Sequence, residues 1–421
     1  MRKAGVDSRR AAIFAIARWL ATGDFPDRLI AGSDDHGFVM DIVYGCARRR
    51  RALEWIVSQC VRRMPDDDTR AALLVGALQL AFMPDVPDYA AIDATVEAAK
   101  IASRRSAGFV NAVLRAILRR RDELLAGLAS QPLAVRTSHP DALVERWLVR
   151  LGDDEAARLC ELDNEPADTV VACLPDRDSP ETLIASFAAA GVAASVHPAR
   201  PDCIVLPHGV NPSALPGFAE GRFAVQDAAT LGAIDLLEIA PGQRVLDACA
   251  APGGKAVQIA ARLRGEGELV ALDLHADRLE PLRENLARFG FDGISRCAAG
   301  DAADAGCEAL ADETFDRILL DVPCSNTGVL RRRPDARWRF SLRRLKKLHD
   351  AQSAILRANF ARLRPGGRLV YSTCSIEDEE NRLVIDEFLA DEPSARLVAT
   401  VARIPSRDGT DGAFAAAIAR R

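Results

Sequence analysis

The sequence predicts a chain of two architectures: an all-α bundle over residues 1–130 and an α/β domain over 226–421, joined by a small α/β segment over 131–225. Three observations carry this. The first 130 residues space their apolar side chains at helical intervals only. From about residue 226, short β-prone runs alternate with helix-like runs, the pattern of a parallel sheet covered by helices on both faces. And 421 residues are too many for one hydrophobic core.

Within the bundle, Ile13, Ile16, Ala17 and Leu20 share one helical face, Phe38, Ile42, Val43 and Cys46 a second, and Leu53, Ile56, Val57 and Cys60 a third. Leu73, Leu74, Ala77, Leu78 and Ala81 form a fourth, stopped by Pro84 and Pro87. Two further helices are expected over Tyr89–Ser103 and Phe109–Arg121. The middle segment reads as helices over 142–152 and 154–162, β-prone runs at Thr169–Leu174 and Cys203–Leu206, and a helix near Pro180–Ala190. In the last domain, strands are expected at Arg244–Asp247, Leu269–Asp273, Arg317–Asp321 and Arg368–Thr373, with helices at Lys255–Leu263, Ala276–Phe289 and Ser341–Leu363. Sheets of this kind bind ligands at the carboxyl ends of their strands. That rule singles out Asp247, Asp273, Asp321 and Cys374.

Hydrophobic residues make up 49% and charged residues 27%, the balance of an ordinary globular protein. No apolar run is long enough for a bilayer, and Met1–Leu20 lacks the core of a signal peptide, so a cytoplasmic protein without a membrane is expected. None of the 10 cysteines forms a CxxC pair, which argues against zinc, and no metal is expected. Most should be buried small hydrophobes. The net charge of −5 excludes indiscriminate nucleic-acid binding but not a local basic face. Basic runs stand at Arg48–Arg51 and Arg119–Arg121. The densest, Arg331–Lys347, holds nine basic residues against the single acid Asp335. Taken alone, such a run is a solvated face.

The stretch Asp247-Ala-Cys-Ala-Ala-Pro-Gly-Gly-Lys255 follows a strand and opens a helix. Its small residues let backbone approach a ligand, and the helix start offers free N–H groups. GxGxxG is absent, and so is a phosphate-cradling Lys/Ser pair. Asp273 ends the next strand at the distance where a carboxylate holds ribose hydroxyls. Asp301, after a third strand, is placed for an adenine amino group. A pocket for ribose and adenine without a phosphate cradle fits a nucleoside such as S-adenosyl-L-methionine.

Two segments, Asp321-Val-Pro-Cys-Ser-Asn-Thr-Gly328 and Tyr371-Ser-Thr-Cys-Ser375, each put a cysteine just past a strand on that edge. Either cysteine alone reads as a core thiol. Together, beside a cofactor loop, they suit methylation of carbon 5 of cytosine. That carbon is a poor nucleophile until a thiolate adds to carbon 6, an acid supports protonation of ring nitrogen 3, and a base removes the carbon-5 proton. Asp321 is placed to serve nitrogen 3, and Pro323 stiffens the loop. The sequence leaves open which cysteine attacks.

At these motifs the chain resembles the bacterial small-subunit ribosomal RNA cytosine-5 methyltransferase B family, Sun or Fmu, of the NOL1/NOP2/Sun type. Phe109-Val-Asn-Ala-Val-Leu-Arg115 resembles part of its NusB-like helical RNA-binding domain. Val225-Gln-Asp-Ala-Ala229 resembles the lead-in to its Rossmann-like class I methyltransferase domain, and Asp411-Gly-Ala-Phe414 its closing strand. The resemblance implies that Cys374 is the nucleophile and that Cys324 assists release of the methylated base. It implies cofactor contacts at Cys249, Ala250, Ala251, Pro252, Gly253, Gly254, Lys255, Asp273, Asp301 and Asp321. It also implies a target cytidine in 16S ribosomal RNA before full assembly of the subunit. Two positions depart from the family pattern. Asn326 stands where a small residue is common, and Ala302-Ala303 follow Asp301 where an arginine is common. Beside the reacting loop, Arg331–Lys347 reads as a phosphate-holding surface, with Trp338 either stacked on a base or in the core. Arg48–Arg51 is a candidate extension of that surface. The target base must be unpaired or flipped out. Competing readings are a methyltransferase on transfer RNA and a NusB-like RNA-binding antitermination factor. The intact cofactor loop and cysteine pair argue against the latter. No coiled-coil pattern is present, which favours a monomer.

Overall fold

The computed structural model describes residues 2–23, 30, 35–102, 106–311 and 313–421. The chain divides into two compact units, Met1–Pro166 with Leu330–Phe340, and Ala167–Val329 with Ser341–Arg421.

Among the described residues the regular elements of the first unit are all helical: Arg2–Thr22, His36–Ser58, Asp67–Phe82, Asp88–Ala102, Ser106–Arg119, Arg121–Ala129, Leu133–Arg136, Asp141–Leu151 and Asp153–Leu162, with the short turn of helix Pro334–Arg339. Ser103, the expected end of one helix, lies outside the described residues. The helix Asp67–Phe82 is the central one, buried on every side from Ala71 to Leu80. Its start is fixed by the Asp66 carboxylate, which accepts from the Thr69 N–H at 3.0 Å. The second and third expected helical faces belong to one helix, His36–Ser58, interrupted at Arg49 by non-helical angles (φ −112°, ψ 17°). That kink rotates one apolar stripe relative to the other, so a continuous helix reads as two.

The expected break at residue 130 does not coincide with the division, because 131–166 is bonded into the helices. The Ser138 hydroxyl accepts from the Arg51 N–H at 2.7 Å, and the Arg51 guanidinium donates to the His139 carbonyl at 2.9 Å. Residues 330–340 also belong here. Arg337, wholly buried, donates to Asn164 Oδ1 (3.0 Å), the Asp163 carbonyl (3.0 Å) and the Ser138 carbonyl (3.2 Å). Trp338 donates its indole N–H to the Ala47 carbonyl at 2.7 Å and packs on the helical core. Trp338 therefore does not stack on a base. Arg48–Arg51 are likewise half-buried and engaged. Arg48 donates to the Arg331 carbonyl (2.9 Å), Arg49 lies over the Phe82 ring (4.4 Å), and Arg50 and Arg51 pair with Glu54 and Asp141. They serve the bundle, not an open basic face.

The second unit holds two sheets. The small one takes β1 (Thr169–Cys173), β2 (Ser195–His197), β3 (Arg200–Leu206) and β4 (Phe223–Val225) in the order β2-β3-β1-β4, all antiparallel. The large one takes β5 (Arg244–Asp247), β6 (Glu268–Asp273), β7 (Ser295–Ala299), β8 (Phe315–Asp321), β9 (Leu363–Thr373), β10 (Ala395–Arg403) and β11 (Ala413–Arg420) in the order β10-β11-β9-β8-β5-β6-β7. From β7 to β9 the strands are parallel, as expected; β11 and β10 are antiparallel, so the sheet is mixed. Successive strand residues face opposite sides. Val245, Ala271, Leu319 and Val370 pack under the helices Ala228–Leu237, Gly254–Leu263 and Leu279–Arg288. Leu246, Val270, Leu320 and Tyr371 pack under Leu342–Phe360 and Arg382–Asp391. With both faces covered, the open carboxyl edge of β5, β6, β8 and β9 carries Asp247, Asp273, Asp321 and Cys374, as the strand-end rule requires.

Candidate active site

β8 and β9 are neighbours in register, with Asp321 opposite Ser372, so the loops that follow them run side by side. That is what brings residues far apart in sequence together. Cys324 Sγ and Cys374 Sγ are 3.2 Å apart. Backbone bonds fix the two loops to each other: the Val322 N–H donates to the Ser372 carbonyl (3.1 Å) and the Gly328 N–H to the Cys374 carbonyl (3.0 Å). A side chain at Gly328 would meet the Gly412 carbonyl at 2.7 Å and the Cys374 carbonyl at 2.8 Å, so only glycine fits the crossing. Asn326 sits in left-handed backbone (φ 62°), which glycine and asparagine tolerate best. Its Oδ1 accepts from the Cys374 thiol at 3.1 Å, and its amide N–H donates to the Cys324 carbonyl at 3.1 Å. The departure at this position thus keeps the turn and adds a polar contact to one cysteine.

The charges around the sulfurs are unequal. Lys255, from the first turn of Gly254–Leu263, donates to Asp321 Oδ2 at 2.6 Å. Burial pulls its ammonium down, but Asp321, and after it Cys374 and Asp247, raise it above its ordinary range. On the other side stands Glu380, which has no exposed surface. One oxygen accepts from the Ser325 N–H (2.8 Å) and the Gln352 amide (3.1 Å), the other from the Ser325 hydroxyl and the Ser375 hydroxyl (2.5 Å). Gln352 also donates to the Pro323 carbonyl at 2.9 Å. The bond to Cys374 comes first, then burial, in pushing the Cys324 thiol well above its usual range; the nearby Glu380 charge adds to this. Glu380, Ser325, Ser375 and Gln352 were not singled out from the sequence. The only signal was their closeness to the cysteine motifs.

The cofactor loop, Cys249 to Lys255, turns past the end of β5. Gly253 (φ 107°) precedes the helix Gly254–Leu263. Asp273 closes against it: its carboxylate accepts from the Ala251 N–H and the His275 N–H, both at 3.1 Å. Asp301 is exposed after β7, one oxygen accepting from the Ala303 N–H at 2.8 Å, so the alanine pair leaves a shaped turn there. Asp247 is buried, and neither carboxylate oxygen has a well-formed hydrogen bond. Burial first, and Asp321 second, push its pKa up to about 7, with only the Cys249 N–H and Lys255 opposing. Cys249 is driven up by burial and by Asp247, Asp321 and Asp273, which fits an inert thiol.

Residues 6–119 match the NusB family model, and 234–418 match the model described as 16S rRNA methyltransferase RsmB/F. The ribosomal RNA small subunit methyltransferase B of Pseudomonas putida is 39% identical over 371 residues, 86% of this chain and 83% of that one. Its namesake in Klebsiella pneumoniae subsp. pneumoniae is 35% identical over 398 residues, 92% of this chain and 90% of that one. The crystal structure of PH0851 is similar at a TM-score of 0.82 and 26% identity, covering 99% of both chains.

Proposed function

The chain belongs to the ribosomal RNA small subunit methyltransferase B family and is a methyltransferase; we propose that it methylates carbon 5 of a cytidine in 16S ribosomal RNA through a transient bond between that base and Cys374. The observation that carries this reading is the 3.2 Å approach of two cysteine sulfurs from two strand ends, beside the Lys255–Asp321 pair. Lone structural thiols have no reason to meet there.

In this reading the Cys374 thiolate adds to carbon 6, and the ring electron pair moves toward nitrogen 3, which takes up a proton that Asp321, held by Lys255, hydrogen-bonds in place. Carbon 5 becomes nucleophilic and takes the methyl group. The carbon-5 proton then passes to Cys324 acting as the base, the ring double bond re-forms, the carbon–sulfur bond breaks with its electron pair returning to Cys374, and nitrogen 3 gives back its proton. Cys324 assists this last step from 3.2 Å. S-adenosyl-L-methionine, when bound, supplies the methyl group on a sulfonium. The residues at the strand edge fit it. Asp273 suits ribose hydroxyls and Asp301 the adenine amino group, while Cys249–Lys255 offer backbone at a helix start. The unpartnered Asp247 carboxylate suits the cofactor's ammonium.

RNA is held by an exposed basic turn and by the NusB-like helical domain. Of the basic stretch, residues 331–340 belong to the helical unit, whereas Arg343, Arg344, Lys346 and Lys347 are exposed on Leu342–Phe360. We take the protein to act in the cytoplasm, as a monomer, on RNA not yet fully assembled.

The test is direct. Cys374→Ala is expected to abolish methyl transfer while cofactor binding persists. Cys324→Ala is expected to accumulate a protein–RNA adduct that survives denaturation. Retained turnover in the first variant, or unchanged turnover without adduct in the second, sinks the assignment.

A further inference from the structure

We propose that Asn326 is a positioning residue that latches the Cys374 thiol: its side-chain amide spans the two reacting loops and holds the nucleophile's own proton until the target base docks. The inference rests on the methyl-transfer reading above, which makes Cys374 the reacting sulfur.

The backbone of Cys374 is fixed from elsewhere. Its carbonyl accepts from the Gly328 N–H at 3.0 Å. Asn381 bonds both of its neighbours, accepting from the Thr373 hydroxyl at 2.6 Å and donating to the Ser375 carbonyl at 2.9 Å. The direction of the sulfur is the freedom that remains, and Asn326 Oδ1 at 3.1 Å and Cys324 Sγ at 3.2 Å bear on it. The Asn326 contact has a defined polarity. The same amide meets the Cys324 carbonyl at 3.1 Å, and a carbonyl can only accept, so the NH2 end faces that carbonyl. The oxygen end is thereby turned toward Cys374. An amide oxygen has no proton to give, so the proton in this bond is the thiol's. Backbone keeps the amide in reach: Asn326 is left-handed (φ 62°), and its carbonyl accepts from the Val329 N–H at 3.2 Å. The small side chain common at this position has no atom that could cross to the sulfur.

A thiolate in the same place would set its lone pairs against those of the amide oxygen at 3.1 Å. Cys374 therefore leaves Asn326 when it gives up its proton, and the sulfur is freed to turn toward carbon 6. Cys374 is only half-buried, so water can take that proton. Before RNA arrives, the latch keeps the sulfur in its less nucleophilic form. The titratable and charged groups around the two sulfurs come from several elements. They are Lys255 at the start of Gly254–Leu263, Asp247 ending β5, Asp321 ending β8, Cys324 in the loop after it, Tyr371 in β9 and Glu380 beyond β9. None is altered by substitution at Asn326, so variants there read the latch alone.

The experiment follows the rate at which iodoacetamide alkylates Cys374 in the full-length protein at neutral pH, resolved from the other cysteines by mass spectrometry. Asn326→Gly keeps the left-handed turn and removes the acceptor. It is expected to react about fivefold faster than wild type, the weight of one neutral hydrogen bond. Asn326→Asp keeps the size and sets a stronger acceptor against the thiol, so it is expected to react more slowly than wild type. The aspartate separates the latch from shielding, because a side chain that only covers the sulfur would protect it equally as Asn or Asp. A glycine variant no faster than wild type, or an aspartate variant no slower, overturns the proposal. The wild type carries a further check. The S–H stretching band of Cys374, isolated as the Raman difference from Cys374→Ala, is expected below the frequency of a free thiol. A band at the free-thiol frequency, or none, overturns the latch even if the Asn326 variants fail to fold. A wild type that shows the shifted band and the expected order of rates but methylates no RNA defeats the functional reading instead.

Discussion

Asp247 shows how a single residue can be left unstable by the fold and made useful by a ligand. It ends β5 with its carboxylate buried and without a well-formed hydrogen bond. Leaving a buried polar group unsatisfied costs about 1–3 kcal/mol. Its pKa of about 7, against 3.8 ordinarily, gives the sign of the pH effect. The folded state binds this proton more tightly than the unfolded chain, so the penalty is absent below about pH 4, grows as pH rises through the interval, and is complete above about pH 7. Asp247→Asn is therefore expected to raise the unfolding temperature at pH 8 and to leave it nearly unchanged at pH 4. The same variant should bind S-adenosylhomocysteine at least tenfold more weakly by calorimetry, because the cofactor's ammonium loses its anion. A variant that is no more stable at pH 8, or that binds as tightly as the wild type, contradicts this account.

At the scale of elements, the helix Leu342–Phe360 joins the substrate surface to the reacting loop. Ser341 caps it, its hydroxyl accepting from the Arg344 N–H at 3.2 Å. Arg343, Arg344 and Lys347 are exposed on its first turns, whereas Lys346 pairs with Asp350. Gln352, which touches Pro323 and Glu380, lies five residues on, about 7.5 Å along the axis from Lys347. The basic turn thus stands within about two nucleotides of the cysteines. Replacing Arg343, Arg344 and Lys347 by glutamine is expected to raise the KM for RNA about tenfold without changing kcat. It should also flatten the dependence of log affinity on log salt by about 2, at about 0.7 per lost phosphate contact on single strands. An unchanged salt slope would remove this helix from the RNA surface. The helix was legible because its Leu345, Ile355 and Leu356 fall at helical spacing, and the strand-end residues were legible because the β-prone runs before them are short and apolar. What stayed hidden has physical causes. β10 is an exposed edge strand with little apolar patterning, and β11, built largely of alanine, which disfavours strands, is signalled only by the resemblance at Asp411-Gly-Ala-Phe414. The division of the basic stretch was hidden too, because charge alone does not tell Arg337, whose partners lie at Ser138, Asp163 and Asn164, from Arg343, which faces water.

In the whole molecule, that division means the helical unit is completed by a segment from the far end of the chain. Residues 330–340 leave the sequence of the methyltransferase domain, supply Arg337 and Trp338 to the helices, and return at Ser341. Burial lowers the Arg337 guanidinium to about 10, so it remains a cation at neutral pH and still needs its acceptors. Those acceptors are carbonyls and an amide from Arg48, Ser138, Asp163 and Asn164, all in helical-unit sequence. Arg337→Met keeps the volume but leaves them without a donor, a loss of about 3 kcal/mol or more. Since each unit has its own hydrophobic core, unfolding need not be two-state, and the loss should fall on one component. Scanning calorimetry of Arg337→Met is expected to lower the helical unit's transition by several degrees. Binding of S-adenosylhomocysteine to the other unit should stay within about twofold of wild type, because Cys249–Lys255, Asp273 and Asp301 gain and lose no partner. If cofactor affinity collapses together with that transition, the segment is part of the methyltransferase core and not a strap of the bundle. If neither changes, the buried guanidinium holds nothing together.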